Sequence, residues 1–273
     1  LRDLVRCLSA GWPGRPGLRV SLIDERGEVA VMVRGAPQMD VGPRTDVLDA
    51  CPKALGIPMA LQYSITAVGR MMVQASLNIL GSTLVAAYTA AGKIEQIVTQ
   101  AYVAMGTTMA TYGAQNMGAG NISRIRQGFK ASTVIGVVYA VVSAALVMTV
   151  GKYMTYLFVS EDVALIMDSV NTYLVCAGIF FIPLAIVNIY RNGIQGLGYG
   201  LLPMMAGVAE LAGRGVVAVI AARQKSYLGV CLASPAAWVL AALLLIGMYY
   251  YVVKIDLKKI FPDRYAGNQI QSD

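Results

Sequence analysis

The sequence predicts an all-α membrane protein, a bundle of six transmembrane helices, and three observations carry that prediction. Six apolar stretches fill the chain from Gly56 to Val253, each close to the ~20 residues a helix needs to cross a ~30 Å hydrocarbon core. Hydrophobic residues make up 57% of the 273 residues and charged ones 14%; soluble domains run at roughly 45–50% and 25%, so the surplus apolar surface has to face lipid. Histidine is absent, which removes the usual general base and the commonest metal ligand together and leaves no metal site to expect.

In chain order, residues 1–50 differ from everything after them. They hold seven Arg, no Lys, seven acids and frequent Gly and Pro, and they cannot span a membrane. Leu1–Ala10 is broken by Arg2, Asp3 and Arg6, so no targeting sequence is expected there and the spans themselves are expected to drive insertion. Arg19–Val33 alternates weakly around Glu25-Arg26-Gly27, a pattern for a short hairpin. The composition break suggests a fused or out-of-register segment joined just before Cys51. The six spans are then expected at about Gly56–Leu80, Ile94–Met117, Ala131–Phe158, Val170–Tyr190, Leu201–Ala222 and Leu228–Val253, and residues 256–273 form a tail. Cys176 and Cys231 fall inside spans, and Cys7 and Cys51 lack metal-type spacing; all four read as reduced thiols.

Charge sets the expected orientation. Because residues 1–50 are neutral, the whole excess of +7 lies in residues 51–273, and a basic nucleic-acid-binding tail is excluded. One side of the bundle carries Arg124, Arg126, Lys130, Arg191, Lys254, Lys258, Lys259 and Arg264; the other carries Lys93, Lys152, Arg223 and Lys225, together with Glu161 and Asp162. The positive-inside rule then places both termini in the cytoplasm of a multi-pass cell-membrane protein.

Two octets separated by eighty residues look alike. Gly113-Ala-Gln115-Asn-Met-Gly118-Ala-Gly120 matches Gly193-Ile-Gln195-Gly-Leu-Gly198-Tyr-Gly200 at three glycines and the glutamine. Each closes a span, so Gln115, Gly118, Gly120, Gln195 and Gly198 read as helix-exit motifs whose glycines supply positive φ. Duplicated helix units of the kind common in transporters explain the match equally well.

The wording of the second span and its exit is also distinctive. Lys93-Ile-Glu95-Gln96, Gln100-Ala-Tyr-Val-Ala-Met-Gly106 and Tyr112-Gly113-Ala-Gln115-Asn116-Met-Gly118-Ala-Gly120-Asn121 strongly resemble multidrug and toxic compound extrusion (MATE) transporters of the multidrug/oligosaccharidyl-lipid/polysaccharide (MOP) flippase superfamily. Gly56-Ile-Pro58-Met-Ala-Leu-Gln62, Asn192-Gly193-Ile-Gln195 and Glu210-Leu-Ala-Gly-Arg214 look like the family's seventh helix, the exit of its tenth and its eleventh. The resemblance covers about residues 54–255. It implies that residues 51–255 are the C-terminal six-helix lobe of a twelve-helix fold, whose two lobes enclose a cavity and exchange Na⁺ or H⁺ for organic compounds. Some branches of the family place acids on the first and fourth helices of this lobe; here neither span has a central Asp or Glu, and Asp168 lies at an edge. Any cation coupling is then expected in the other lobe.

Polar side chains inside spans are the natural candidates for a substrate or ion pathway, because lipid penalises them unless they face a cavity or a partner. They are Gln62, Arg70, Gln100, Asn188, Glu210 and Arg214. Glu210 and Arg214, four residues apart, share a helix face, where they form either a structural ion pair or a coupling site. Arg70 either lines the cavity or snorkels. Glu95, Gln96, Thr99 and Gln100 form a polar strip at the mouth of the second span, suited to bonds between helices or to cavity lining. Pro183 is expected to kink the fourth span just before Asn188.

No catalytic constellation is visible, so an enzyme is not expected. The expected function is cation-coupled antiport of small organic or xenobiotic compounds, this chain supplying one lobe beside an N-terminal lobe or a second copy, with no cofactor beyond the coupling ion. A lipid-linked oligosaccharide or polysaccharide flippase and a noncatalytic membrane assembly subunit are the alternatives; the flippase should show several inward basic residues, where the spans offer Arg70 and Arg214. The charge bias predicts that single cysteines placed in 122–128 are protected from an impermeant thiol reagent in intact cells while those at 160–163 react. The reverse pattern overturns the orientation.

Overall fold

The computed structural model describes residues 18–22, 29–33, 56–154, 156 and 163–257. Cys7, Cys51, Glu161, Asp162 and residues 258–273 of the expected tail lie outside the described residues. Two strands, β1 (Leu18–Leu22) and β2 (Val29–Val33), pair antiparallel with Leu18 opposite Val33 and Leu22 opposite Val29. This is the hairpin that the alternation over Arg19–Val33 predicts.

Helices make up the remainder: α1 (Ile57–Asn78), α2 (Ser82–Gly118), α3 (Ile122–Met154), α4 (Val163–Ile179), α5 (Phe181–Gly196), α6 (Leu201–Arg223) and α7 (Tyr227–Tyr250), the last running into a π-helical turn over Tyr251–Asp256. Counting α4 and α5 as one broken span, these are the six expected. The expected starts of the second and third are corrected, by twelve residues to Ser82 and by nine to Ile122. The part of α3 that apolarity misses, Ile122–Lys130, is polar, whereas the missed start of α2, Ser82–Gly92, is mostly apolar and is set apart by the polar run Lys93–Gln96; Lys93, Arg124, Arg126 and Lys130 belong to helices and not to loops. By length and composition three helices can cross a membrane, and a fourth if α4 and α5 are one span. Polar residues lower the apolar content of α1 and α2, and several of them line the site described below.

The break between α4 and α5 turns the chain by 53°. It falls at Phe180, three residues ahead of Pro183; proline has no N–H for the carbonyl four residues back, that of Ile179, so the ladder stops there and restarts. A lipid-facing stripe on α3, including Ile135, Val138 and Val142, is about 60% exposed. The interior is divided into packed clusters: Tyr102, Val170 and Leu174 on one level, and Phe129, Ile189, Leu197 and Val253 on another. Tyr102 and Ser143 satisfy each other by a buried hydroxyl bond of 2.8 Å. Cys176 and Cys231 are buried free thiols.

The two glycine octets do not act as the eighty-residue offset suggests. Gly120 (φ +65°) and Gly198 (φ +94°) are the left-handed exits, and each is followed by the same return bond, from Asn121 N–H to the Asn116 carbonyl (2.8 Å) and from Tyr199 N–H to the Ile194 carbonyl (3.3 Å). The caps therefore correspond at an offset of 78, two residues out of step with the sequence match. Gly118 is not left-handed, and Gly200 is ordinary right-handed backbone at φ −79°. What the first glycines do is meet. A Cβ on Gly113 would lie 3.4 Å from the Gly193 carbonyl, one on Gly106 would lie 2.9 Å from that of Asn188, and one on Gly196 would lie 2.2 Å from that of Ala110. Small residues let α2 and α5 pack backbone to backbone, as membrane helices do where lipid gives no hydrophobic drive to associate.

Gly196→Ala is expected to lower the thermal stability of the purified chain in detergent by about 1–3 kcal/mol, the usual cost of overpacking. Gly247→Ala, which meets nothing within 4 Å, should leave it unchanged or higher. Equal melting temperatures for both variants would refute the seam.

Candidate functional site

A cavity of ≈ 470 Å³ lies within the bundle, and α1, α2, α4, α5, α6 and α7 all contribute to its wall. Of the sequence candidates it takes in Arg70, Asn188, Glu210 and Arg214, and it adds Glu95, Gln96, Thr99 and Arg191.

Glu210 is the centre of its charge. The expected bond to Arg214, one turn further along α6, is present at 2.7 Å (Nη2 to Oε1), and both residues are about 96% buried, each 4% exposed. The second carboxylate oxygen accepts from Arg191 Nη2 of α5 at 2.5 Å. Arg191 therefore corrects the sequence reading, which placed it in a cytoplasmic loop; it lies inside α5, turned to the cavity, and reports nothing about orientation. One carboxylate bound to two guanidinium groups leaves a surplus positive charge and surplus donors. Arg191 Nε, Arg214 Nε and Arg214 Nη1 are buried without hydrogen-bond partners among the described residues. Arg214 fits because α1 has a glycine beneath it: a Cβ on Gly69 would come within 3.2 Å of Arg214 Nη1.

Glu95 is the second acid. It projects from α2 and accepts a hydrogen bond from the Tyr173 hydroxyl on α4, so the polar strip at the mouth of the second span does tie helices together and lines the cavity as well. Tyr88 meets the Tyr173 ring edge-on at 4.6 Å, and Trp238 of α7 lines the same space. Arg70 lines the cavity, is exposed and makes no ion pair among the described residues. Asn188 also faces it, with its side-chain amide donating to the Leu184 carbonyl at 2.9 Å; it does not reach the carbonyl that Pro183 frees.

Two candidates lie elsewhere. Gln62 is 5% exposed, and its side-chain carbonyl accepts from Gln195 Nε2 at 2.8 Å. This amide pair locks α1 to α5, so Gln195 serves that contact in addition to ending its helix. Gln100 is exposed and outside the cavity wall, as is Gln115. The two acid-centred features that sequence reasoning underrated, Arg191 and Glu95, each had a signal: a charge on the same helical periodicity as the apolar residues around it.

A helical bundle with an apolar exterior and a charged cavity is the architecture of a polytopic membrane protein. The family model described as MatE matches residues 58–220, more than half of the sequence, and the chain belongs to that family. It is 31% identical over 140 residues to the probable multidrug resistance protein YpnP of Bacillus subtilis, covering 51% of this chain and 31% of that one. Its fold is similar to that of the Vibrio cholerae MATE transporter VcmN in the bent form, with TM-score 0.71 and 18% identity over 79% of this chain and 49% of that one. The chain thus spans about a third to a half of these relatives. A second family model, described as sporulation stage III, protein AA, matches residues 1–85. The stage III sporulation protein AA of Bacillus subtilis is 47% identical over 62 residues, 23% of this chain and 20% of that one.

Glu210→Gln should lower thermal stability on the order of 3–5 kcal/mol, since it strips buried Arg214 and partly buried Arg191 of their counter-charge. Adding Arg214→Leu should recover only part of the loss, because Arg191 stays unpaired. Full recovery in the double variant, read as the melting temperature in detergent, would show that Arg191 does not depend on Glu210.

Proposed function

We propose that this chain supplies one lobe of an antiporter that moves small organic compounds, xenobiotics among them, across the cell membrane in exchange for Na⁺ or H⁺. The observation that carries the proposal is the charged cavity inside an otherwise apolar bundle of MatE type: lipid penalises such groups heavily, and they are kept where a polar solute or ion passes. The role is transport without a catalytic step. The second lobe is a matching N-terminal six-helix bundle or a second copy of this chain. Glu210 is bound by two arginines and the first and fourth spans carry no central Asp or Glu, so the exchange of Na⁺ or H⁺ is assigned to the partner lobe.

A lipid-linked saccharide flippase would need a cavity that is basic throughout. Arg191 raises the inward arginines to three, Arg70, Arg191 and Arg214, yet Glu95 and Glu210 share the same wall, and small-molecule export remains the reading. Residues 1–50 are a segment of different origin joined to the lobe, as their composition supports and as does the sporulation-protein family match, which takes in all of them and runs on to residue 85; genomic DNA showing uninterrupted membrane-type sequence upstream of Cys51 in the same frame would sink this.

Expressed alone, residues 1–273 should enter the membrane but confer no drug resistance and show no ion-driven uptake in vesicles, whereas co-expression with the N-terminal lobe of a relative should give ion-dependent export. Robust ion-driven transport by the purified chain running as a dimer would replace the two-part reading with a half-size transporter. Absence of transport in every combination would refute antiport.

A further inference from the structure

The cavity holds two sets of charge on different helices. On α2 and α4, Glu95 is seated beside the edge-to-face rings of Tyr88 and Tyr173. A carboxylate next to aromatic rings is the combination that holds an organic ammonium, through charge attraction and cation–π contact. On α1, α5 and α6 are Arg70, Arg191 and Arg214, with Glu210 neutralising one of the three. Among the described residues no ion pair joins Glu95 to any of the three arginines. Opposite charges thus face one another across open volume without closing on it.

That arrangement selects among ligands. A plain organic cation satisfies Glu95 but meets a net double positive charge on the arginine side. A plain anion satisfies the arginines and meets Glu95. A molecule bearing both charges complements both sides at once, and the guanidinium forks suit a carboxylate in particular. Glu210 uses one donor from each of its two arginines, and among the described residues Arg70 keeps all of its own.

The geometry points to a zwitterionic organic compound as the ligand of this lobe, its ammonium or iminium group at Glu95, Tyr88 and Tyr173 and its carboxylate at Arg70 and Arg191. This rests on the reading of the cavity as a transport site and narrows its substrate class.

The test compares rhodamine B, which carries a delocalised cation and a carboxylate, with its ethyl ester, which keeps the cation alone. Both are titrated by fluorescence anisotropy against the full chain in nanodiscs. Rhodamine B is expected to bind at least about tenfold more tightly, the scale of a hydrogen bond to a charged group. Arg70→Gln should bring its affinity down to that of the ester, and Arg70→Lys should keep most of the preference. Equal or tighter binding of the ester, a preference that survives Arg70→Gln, or binding of neither dye each overturns the inference. Because binding is read without transport, the two readings fail separately. A chain with this preference that never transports beside any second lobe sinks antiport alone, and one that exports yet prefers the ester sinks the zwitterion alone.

Discussion

One buried carboxylate holds three helices in register. Glu210 of α6 bonds Arg214 on its own helix and Arg191 on α5, and Arg214 in turn lies against Gly69 of α1. Taking a guanidinium out of water costs several kcal/mol unless an opposite charge and hydrogen bonds replace the lost solvent. Two such groups share one counter-charge here, so neither helix can rotate or slide without exposing a cation to apolar surroundings. The same arrangement accounts for the positive side of the cavity, since one carboxylate cannot neutralise two arginines and a third stands beside them.

Elsewhere the bundle is held by the absence of side chains. Gly106 and Gly113 of α2 and Gly196 of α5 bring the two helices into backbone contact, and this closeness sets Asn188 and Arg191 of α5 beside the Glu95 face of α2. The amide pair of Gln62 and Gln195 ties the opposite side of α5 to α1. Close packing on one flank and polar pairing on the other leave the space between them open.

Much of this was legible in the sequence because lipid is a simple solvent to read. Apolar runs long enough to span it gave the helices, and i,i+4 spacing gave the Glu210–Arg214 pair. The errors share a cause. Charged residues inside a helix read as a loop, which misplaced Arg191 and, at Lys93 and Glu95, cut the apolar start of α2 from the rest of it. The glycine octets were legible as a match but not as a contact, because facing backbones belong to helices eighty residues apart. Gln62 and Gln195 are separated by 133 positions, and no local pattern links them.

The break at Phe180 bears on how the chain is made. α4 has 17 residues and α5 has 16, about 24–26 Å each as straight helix, short of the ~30 Å core. Neither half can settle across a bilayer on leaving the ribosome unless the other follows, so the translocation channel has to hold α4 until α5 emerges and release both together. Arg191 then enters lipid attached to a strongly apolar leader, and its final partner on α6, Glu210, is synthesised only afterwards. For that interval the cationic end of α5 has no counter-charge from its own lobe, which makes the order of synthesis part of how this cavity is assembled.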